Sequence, residues 1–515
     1  MFKIKELYFQ VQTEIKNKKI VSLRELLSGY AEVSPVDERQ ISGLALDSRL
    51  VSPGDLFCAY SGNKEDGAKY IEDAIAKGAV AVLCSSKVEK IKNIPIFYLP
   101  NLQHIIGKLA AKFHEYPAEN LTVIGVTGTN GKTSITQLIA RSLEMLGKKC
   151  GIIGTLGVGF PDELTSTGLT TPDAITVQKS LVEFLEKGAE AVTVEASSHA
   201  LDQGRLESAN FKIAVFTNLT RDHLDYHSDM ESYFVAKKIL FQQKSLKTAV
   251  INIDDEYGRR LFSDLPKGVG AYAYSIEEDS DTKYPKIIRA KNIKMLPDGI
   301  KADLVTPWGE GELKTHLLGR FNLSNLLAVL ATLCLLNIDF GKALKTLNAL
   351  PIVLGRMQIV RANTKTAGPL VVIDYSHTPD ALEKALKALR EHCHGKLCCV
   401  FGCGGDRDRG KRPIMGRIAE QFSDHIVVTS DNPRSEDPEK ILADVVSGLI
   451  CPAKAKVEVD RSLAIHHAIK YADVSDVVLI AGKGHEDYQL IGKNKIPFSD
   501  YTKAKEALEA ICFTG

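Results

Sequence analysis

The residues best equipped for chemistry stand in Gly125-Val-Thr-Gly-Thr-Asn-Gly-Lys-Thr-Ser134. Gly128, Thr129, Asn130 and Gly131 form a glycine-rich turn whose backbone N–H groups can crowd around a phosphate. Lys132 would reach the β- and γ-phosphates, the Thr133 hydroxyl would ligate Mg²⁺, and Ser134 continues the same helical turn. The usual G-x4-G-K spacing would place glycine at Val126, so the match is incomplete. An ordinary glycine-rich turn is the alternative, and Gly-Lys-Thr at the start of a helix argues against it. The stretch reads as a nucleotide-binding loop.

Other reactive groups also follow apolar runs. Ala191–Val194 leads into Glu195-Ala-Ser-Ser-His199, and Ile213–Phe216 leads into Thr217-Asn-Leu-Thr-Arg-Asp-His223. Ligands of open parallel sheets sit at the carboxyl ends of strands, which places Glu195 and His223 to meet phosphates and their metal. A solvated strand-end acid is the plain alternative for Glu195. His223 and His227 are four apart, as in a helical zinc pair, but no Glu-x-x-His context accompanies them and zinc is not expected. Cys393, Cys398, Cys399 and Cys403 near His392 and His394 also fail as a zinc set. Cys398 and Cys399 are neighbours in an apolar strand and must face opposite sides.

These groups need a scaffold of strands and helices. Leu121–Val126 reads as a buried parallel strand. Ile135, Leu138, Ile139, Leu143 and Leu146 mark one face of a following helix, which Gly147 closes. The spacing predicts an inserted antiparallel layer over 270–315 and an apolar helix opened by Gly319-Arg-Phe-Asn-Leu-Ser-Asn325. Further along, strands lead into Asp374-Tyr-Ser-His377, Gly402-Cys-Gly-Gly-Asp-Arg407, Asp431-Asn-Pro-Arg434 and Gly482-Lys-Gly-His-Glu486, so a second parallel sheet is expected. The fold class is α/β in three domains: a smaller α/β domain over 1–108, a central P-loop domain with a mostly parallel sheet over 109–355, and a Rossmann-like domain over 356–515.

The net charge of +1 leaves no nucleic-acid footprint. No run of 18 apolar residues is present, so no membrane insertion is expected, and the first twenty residues lack a signal-peptide core. The ten scattered cysteines suit reduced thiols in a cytoplasmic enzyme rather than a disulfide framework.

Taken together, Gly125-x-x-Gly-Thr-Asn-Gly-Lys-Thr133, Glu195-Ala-Ser-Ser-His199, Thr217–His223, Tyr233-Phe-Val-Ala-Lys237 and Asp431-Asn-Pro-Arg434 resemble the Mur ligase family over essentially the whole chain. The resemblance is to members that add meso-diaminopimelate to UDP-MurNAc-L-Ala-D-Glu in peptidoglycan precursor synthesis; the rivals are the same reaction with L-lysine, another Mur ligase or a folylpolyglutamate synthase, and a non-catalytic nucleotide-binding switch module. It implies a monomeric enzyme with ATP as cosubstrate and two Mg²⁺ ions. It further implies an acyl phosphate on the substrate carboxylate, which the incoming amine attacks. Lys132, Lys237, His223 and Glu195 would be catalytic. Thr133, Glu195, His223 and a CO₂-carbamylated Lys237 would hold the metal, although an unmodified, solvated Lys237 stays open.

By the same resemblance, Leu46, Ser48 and Asn63 would meet the uridine end of the nucleotide sugar. Thr170, Thr171, Ser197, Gln203 and Arg205 would hold the muramoyl peptide and diphosphate. Asn325, Arg356 and His377 would lie near the ATP base and sugar. Arg407, Asp431, Asn432, Pro433, Arg434, Gly482 and Glu486 would bind diaminopimelate. Its far carboxylate, absent from lysine, suits the bidentate fork of Arg434, and Glu486 can take the neighbouring ammonium.

Overall fold

The computed structural model describes residues 19–512, apart from 63–65, 89–90, 92, 225, 278–283, 297, 352–354 and 362–367. Two compact units make up the chain. The first is built mainly from 1–136, 143–251 and 255–271, and the second mainly from 272–515.

After a short antiparallel pair, Val21–Ser22 with Gln40–Ile41, the first unit carries a four-stranded parallel sheet in the order Gly43–Ala45, Asp55–Ala59, Ala81–Cys84, Ile96–Tyr98. Helix Leu102–Phe113 buries Leu102, Ile106, Leu109 and Phe113 in the same core as Leu44, Leu56 and Leu83. Residues 1–18, most of the stretch read above as lacking a signal-peptide core, lie outside the described residues.

The larger sheet of this unit contains parallel neighbours in the order Cys150–Gly154, Ala191–Glu195, Thr122–Thr127, Ile213–Phe216, Thr248–Asn252. An antiparallel pair, Gly157–Phe160 and Glu163–Thr165, extends it at the Cys150 side. Thr122–Thr127 is flanked on both sides and almost wholly buried, as its β-branched run requires. The helix after it spans Lys132–Met145 and buries Ile135, Leu138, Ile139 and Leu143. Gly147, at φ +77°, ends it in the left-handed conformation, and Lys148 N–H returns to the Leu143 carbonyl.

In the second unit, Ile287–Leu296, Gly299–Thr306 and Gly309–Thr315 form an antiparallel meander, and Arg320–Leu335 is a nearly all-buried helix. A six-stranded sheet follows in the order Gln358–Val360, Leu370–Asp374, Val477–Ala481, Leu397–Phe401, His425–Thr429, Ala455–Glu458. All neighbours are parallel except the first pair. Cys399 packs in the core on one face of this sheet and Cys398 in the core on the other. Burial pushes the thiols of Cys398 and Cys403 up to about 12, so both are inert apolar side chains.

Candidate active site

The glycine-rich loop bridges the end of Thr122–Thr127 and the start of Lys132–Met145. Gly128 holds φ +148°, and a Cβ there would stand 1.8 Å from Thr217 Oγ1, so only glycine fits. The loop is strapped to the neighbouring strand end. Thr129 N–H donates to Asn218 O at 2.8 Å, Asn130 N–H to Asn218 Oδ1 at 3.0 Å, and Thr217 Oγ1 to Asn130 O at 2.6 Å. Lys132 Nζ folds back to the carbonyls of Gly128 and Thr129 at 2.9 and 2.8 Å. Ser134 is buried in the first helical turn.

Glu195, the last residue of its strand, is a buried hub. Its Oε2 accepts from Thr133 Oγ1 at 2.9 Å and Thr155 Oγ1 at 3.1 Å, while Oε1 accepts from Thr155 N–H at 2.8 Å. The strand-end acid is therefore not solvated: the residue is 1% exposed. Among the described residues no cation pairs with it. A buried carboxylate beside a threonine hydroxyl is an oxygen donor set that fits Mg²⁺ rather than zinc. No group of three or more His, Cys, Asp or Glu able to hold a metal occurs among the described residues.

Lys237 lies in helix Met230–Lys238 and is 1% exposed, which rules out a solvated helix lysine. Its Nζ donates to Gly128 O at 2.8 Å and sits 4.4 Å from the ring centroid of Tyr233. Burial, and next the charge of Lys132, pull its pKa well below a lysine's ordinary range, with Asp222 opposing. His223 faces the same tyrosine at 6.1 Å between ring centroids and His199 at 5.0 Å. The spacing of His223 and His227 does not reflect a helical pair, because His223 has φ +54° in a loop. His227 is buried against Ser198 Oγ at 2.9 Å.

A hydroxyl-rich wall continues from Glu195. Thr170 Oγ1 lies 3.1 Å from Thr155 Oγ1, whose single proton goes to Glu195; Thr171 Oγ1 donates to Glu195 O at 2.6 Å and lies 3.0 Å from Ser197 Oγ. Arg205 clamps the Gln203 amide oxygen and donates to Thr171 O at 2.9 Å. These five residues are thus brought together. Ser48 is buried and hydrogen-bonded to Asp73, Leu46 is partly buried on the N-terminal core, and Asn63 lies outside the described residues.

In the second unit the carboxyl ends of adjacent strands carry another cluster. Asn432 Nδ2 donates to Glu486 Oε2 at 2.8 Å. Arg434 has φ +53°, and its Nη1 donates to Gly405 O at 2.8 Å. Gly482, at φ +117°, leaves room for Asp431, whose Oδ2 would stand 2.6 Å from an added Cβ. Pro433 is buried, its carbonyl 1.9 Å from where a Cβ on Gly405 would fall. Arg407 is exposed and donates to Asp406 O at 3.0 Å. Arg356 lies 5.1 Å from the Tyr375 ring centroid and the His377 ring lies 4.6 Å from it, whereas Asn325 is held by Asn322 Oδ1 at 3.3 Å within its own helix.

Sequence reasoning missed Thr155, Tyr233, Lys483 and the Arg461–Asp500 pair. Thr155 directly follows strand Cys150–Gly154, whose neighbour ends at Glu195, and Lys483 lies inside Gly-Lys-Gly-His-Glu, so both carried a signal. Arg461 carried none: it is fully buried, donates to both Asp500 carboxylate oxygens at 2.7 and 2.8 Å, and caps the Ser430 and Ala481 carbonyls at 3.3 and 3.0 Å.

Family models match in three consecutive blocks: "Mur ligase family, catalytic domain" over 40–126, "Mur ligase middle domain" over 126–333, and "Mur ligase, glutamate ligase domain" over 355–484. The chain is 49% identical over 471 residues to the UDP-N-acetylmuramoyl-L-alanyl-D-glutamate–2,6-diaminopimelate ligase of Coxiella burnetii, covering 91% of this chain and 96% of that one. The enzyme of the same name from Pseudomonas putida is 48% identical over 480 residues, covering 91% and 95%. A solved structure of a ligase with this name superposes with a TM-score of 0.72 at 36% identity, covering 95% of this chain and 99% of that one. The Acinetobacter baumannii MurF structure shares the fold at 17% identity and a TM-score of 0.61, covering 96% and 100%. With its strand order, its loop and these relatives in agreement, the chain belongs to the Mur ligase family.

Proposed function

We propose that this chain is an ATP-dependent amide ligase that joins meso-diaminopimelate to the D-glutamate carboxylate of UDP-MurNAc-L-Ala-D-Glu, a step in peptidoglycan precursor synthesis. The observation that carries the choice of amino acid is the fixed Arg434 guanidinium, in a segment that Asn432 ties to the Glu486 carboxylate. Diaminopimelate offers both a carboxylate and an ammonium at its far end, whereas lysine offers only the ammonium and has no use for the arginine. The near-full-length identity to enzymes of that name supports the same reading.

The γ-phosphoryl group of ATP passes to the substrate carboxylate, giving an acyl phosphate and ADP. The incoming amine attacks the acyl carbon, phosphate leaves, and the nitrogen gives up its proton. Phosphoryl transfer needs positioning and charge neutralisation more than covalent help. The Gly128–Gly131 amides and Lys132 supply both for the phosphates. Thr133 and Glu195 would hold one Mg²⁺, and His223 with a carbamylated Lys237 a second; when bound, the ions neutralise phosphate charge.

The low pKa of Lys237 favours the neutral amine that reacts with CO₂, and a carbamate nitrogen keeps one N–H for the Gly128 carbonyl. Thr170, Thr171, Ser197, Gln203 and Arg205 would receive the muramoyl peptide. Arg356 and His377 would bracket the nucleotide base and sugar beside Tyr375. No helix among the described residues is long and apolar enough to cross a membrane. We place the enzyme in the cytoplasm as a monomer, on the likeness to the Mur ligases and the soluble, nucleotide-linked substrates it would use.

The test is product identification by mass after incubation with ATP, UDP-MurNAc-L-Ala-D-Glu and meso-diaminopimelate. The expected product is heavier by one diaminopimelate residue, with one ADP released per product. ATP turnover without an amide product would refute the ligase reading.

A further inference from the structure

Lys483 is fully buried between two glycines at the end of strand Val477–Ala481. Its Nζ donates to Glu486 Oε2 at 2.9 Å and to Asn432 Oδ1 at 3.2 Å. Glu486 Oε2 also accepts from Asn432 Nδ2 at 2.8 Å, so that oxygen is saturated. Glu486 Oε1 has no hydrogen-bond partner among the described residues, and the side chain remains 18% exposed. Asn432 Oδ1 receives a further bond from Leu490 N–H at 2.9 Å, and Arg434 N–H donates to Leu490 O at 2.9 Å. One network therefore runs from the Glu486 carboxylate through Lys483 and Asn432 to the backbone of Arg434.

We infer that Lys483 is a positioning residue for amino-acid recognition, which fixes Glu486 as a carboxylate with one oxygen held inside and the other presented to the substrate ammonium. The inference deepens the proposed amino-acid pocket and rests on it. A fully buried lysine is a costly way merely to fill space, since an apolar side chain of similar volume is often at least as stable. Its ammonium is consumed in holding Glu486 and Asn432, the two residues that join the segments 431–434 and 482–486. Around Glu486 stand the charged and titratable groups Lys483 and His485 of its own turn, followed in sequence by Asp487, together with Tyr375, Arg461 and Tyr488, the three that Asp431 also faces. Burial pushes the Glu486 carboxyl up, while Lys483 and Asn432 bring it to a net position below its ordinary value. Without Lys483 the burial effect would dominate, and the carboxyl would gain its proton at higher pH.

The experiment is steady-state kinetics with ATP, UDP-MurNAc-L-Ala-D-Glu and meso-diaminopimelate on wild type, Lys483→Met, Glu486→Gln and the double variant. Lys483→Met should raise KM for meso-diaminopimelate about tenfold to a hundredfold, with kcat and the KM values of the other two substrates within about threefold. The ratio of its KM to that of wild type should fall as pH rises, because Glu486 regains its charge. In the Glu486→Gln background, Lys483→Met should add no more than about twofold. Should Lys483→Met not fold, Lys483→Gln keeps donors for both acceptors without the charge and must show the same pH trend. An unchanged KM, a ratio flat in pH, or fully multiplicative effects would overturn the inference while leaving the ligase reading intact. A wild type that does not use meso-diaminopimelate would overturn both.

Discussion

Lys132 and Lys237 donate to one and the same acceptor, the carbonyl of Gly128, at 2.9 and 2.8 Å. Lys237 is the buried partner of the two: burial first, and then repulsion from the Lys132 ammonium, pull its pKa down. The relationship links the phosphate-binding loop to the residue proposed to be carbamylated.

Lys132→Ala should lower ligation by at least about a hundredfold, because both charge and geometry at the phosphates go with the side chain. Its second effect follows from the shared carbonyl. With one positive charge removed, the Lys237 pKa should rise, measurable as slower labelling of Lys237 by an amine-selective reagent at fixed pH. Normal turnover in this variant would remove the loop from the mechanism.

Lys237→Ala should be nearly inactive and partly recovered by added short-chain carboxylic acids, which would stand in for the carbamate. Full activity without any acid would show that Lys237 only supports the loop.

Glu195→Ala should raise the Mg²⁺ concentration for half-maximal rate by about tenfold or more, since a hard cation loses an oxygen ligand. An unaltered Mg²⁺ dependence would place the ion elsewhere.

His114 gives a stability prediction apart from the site. Burial lowers its pKa from 6.5 to about 4, and its Nε2 has no partner among the described residues. The unfolded chain binds the proton first, so the folded state loses stability as pH falls from about 6.5 toward 4. His114→Phe should flatten the melting temperature over that range. An unchanged slope would assign the acid sensitivity to other groups.

Much of the site was legible because its chemistry sits where local rules act. Glycines at Gly128 and Gly131 announce a turn before a helix, and Glu195, Asp431 and Gly482 lie within two residues of the ends of apolar strands. The antiparallel layer expected over 270–315 is met only over 287–315, where alternation is clear; Gly270–Ser275 instead pairs in parallel with Ile287–Leu296, a direction that alternation does not encode. Burial of Lys237 was not legible. On its helix Tyr233, Phe234 and Ala236 are buried while Val235 is half exposed, a pattern set by packing on the Gly128 loop rather than by a clean apolar stripe. The Arg461–Asp500 pair likewise depends on strand ends and a terminal helix that meet only in the folded sheet.

Arg434 offers the most direct measurement of amino-acid choice. Removing one partner of a buried guanidinium–carboxylate pair costs about 3–5 kcal/mol, and Arg434 is only partly buried. Arg434→Ala should therefore lower kcat/KM for meso-diaminopimelate by roughly two to three powers of ten. Arg434→Lys should recover only part of the loss, because a point charge cannot form the fork. Steady-state kinetics of wild type and Arg434→Ala, run with meso-diaminopimelate and L-lysine side by side, decide the matter. The expected result is strong wild-type preference for meso-diaminopimelate that collapses in the variant, with KM values for ATP and the UDP substrate unchanged. Equal use of L-lysine by wild type, or equal weakening toward both amino acids in the variant, would contradict the carboxylate clamp.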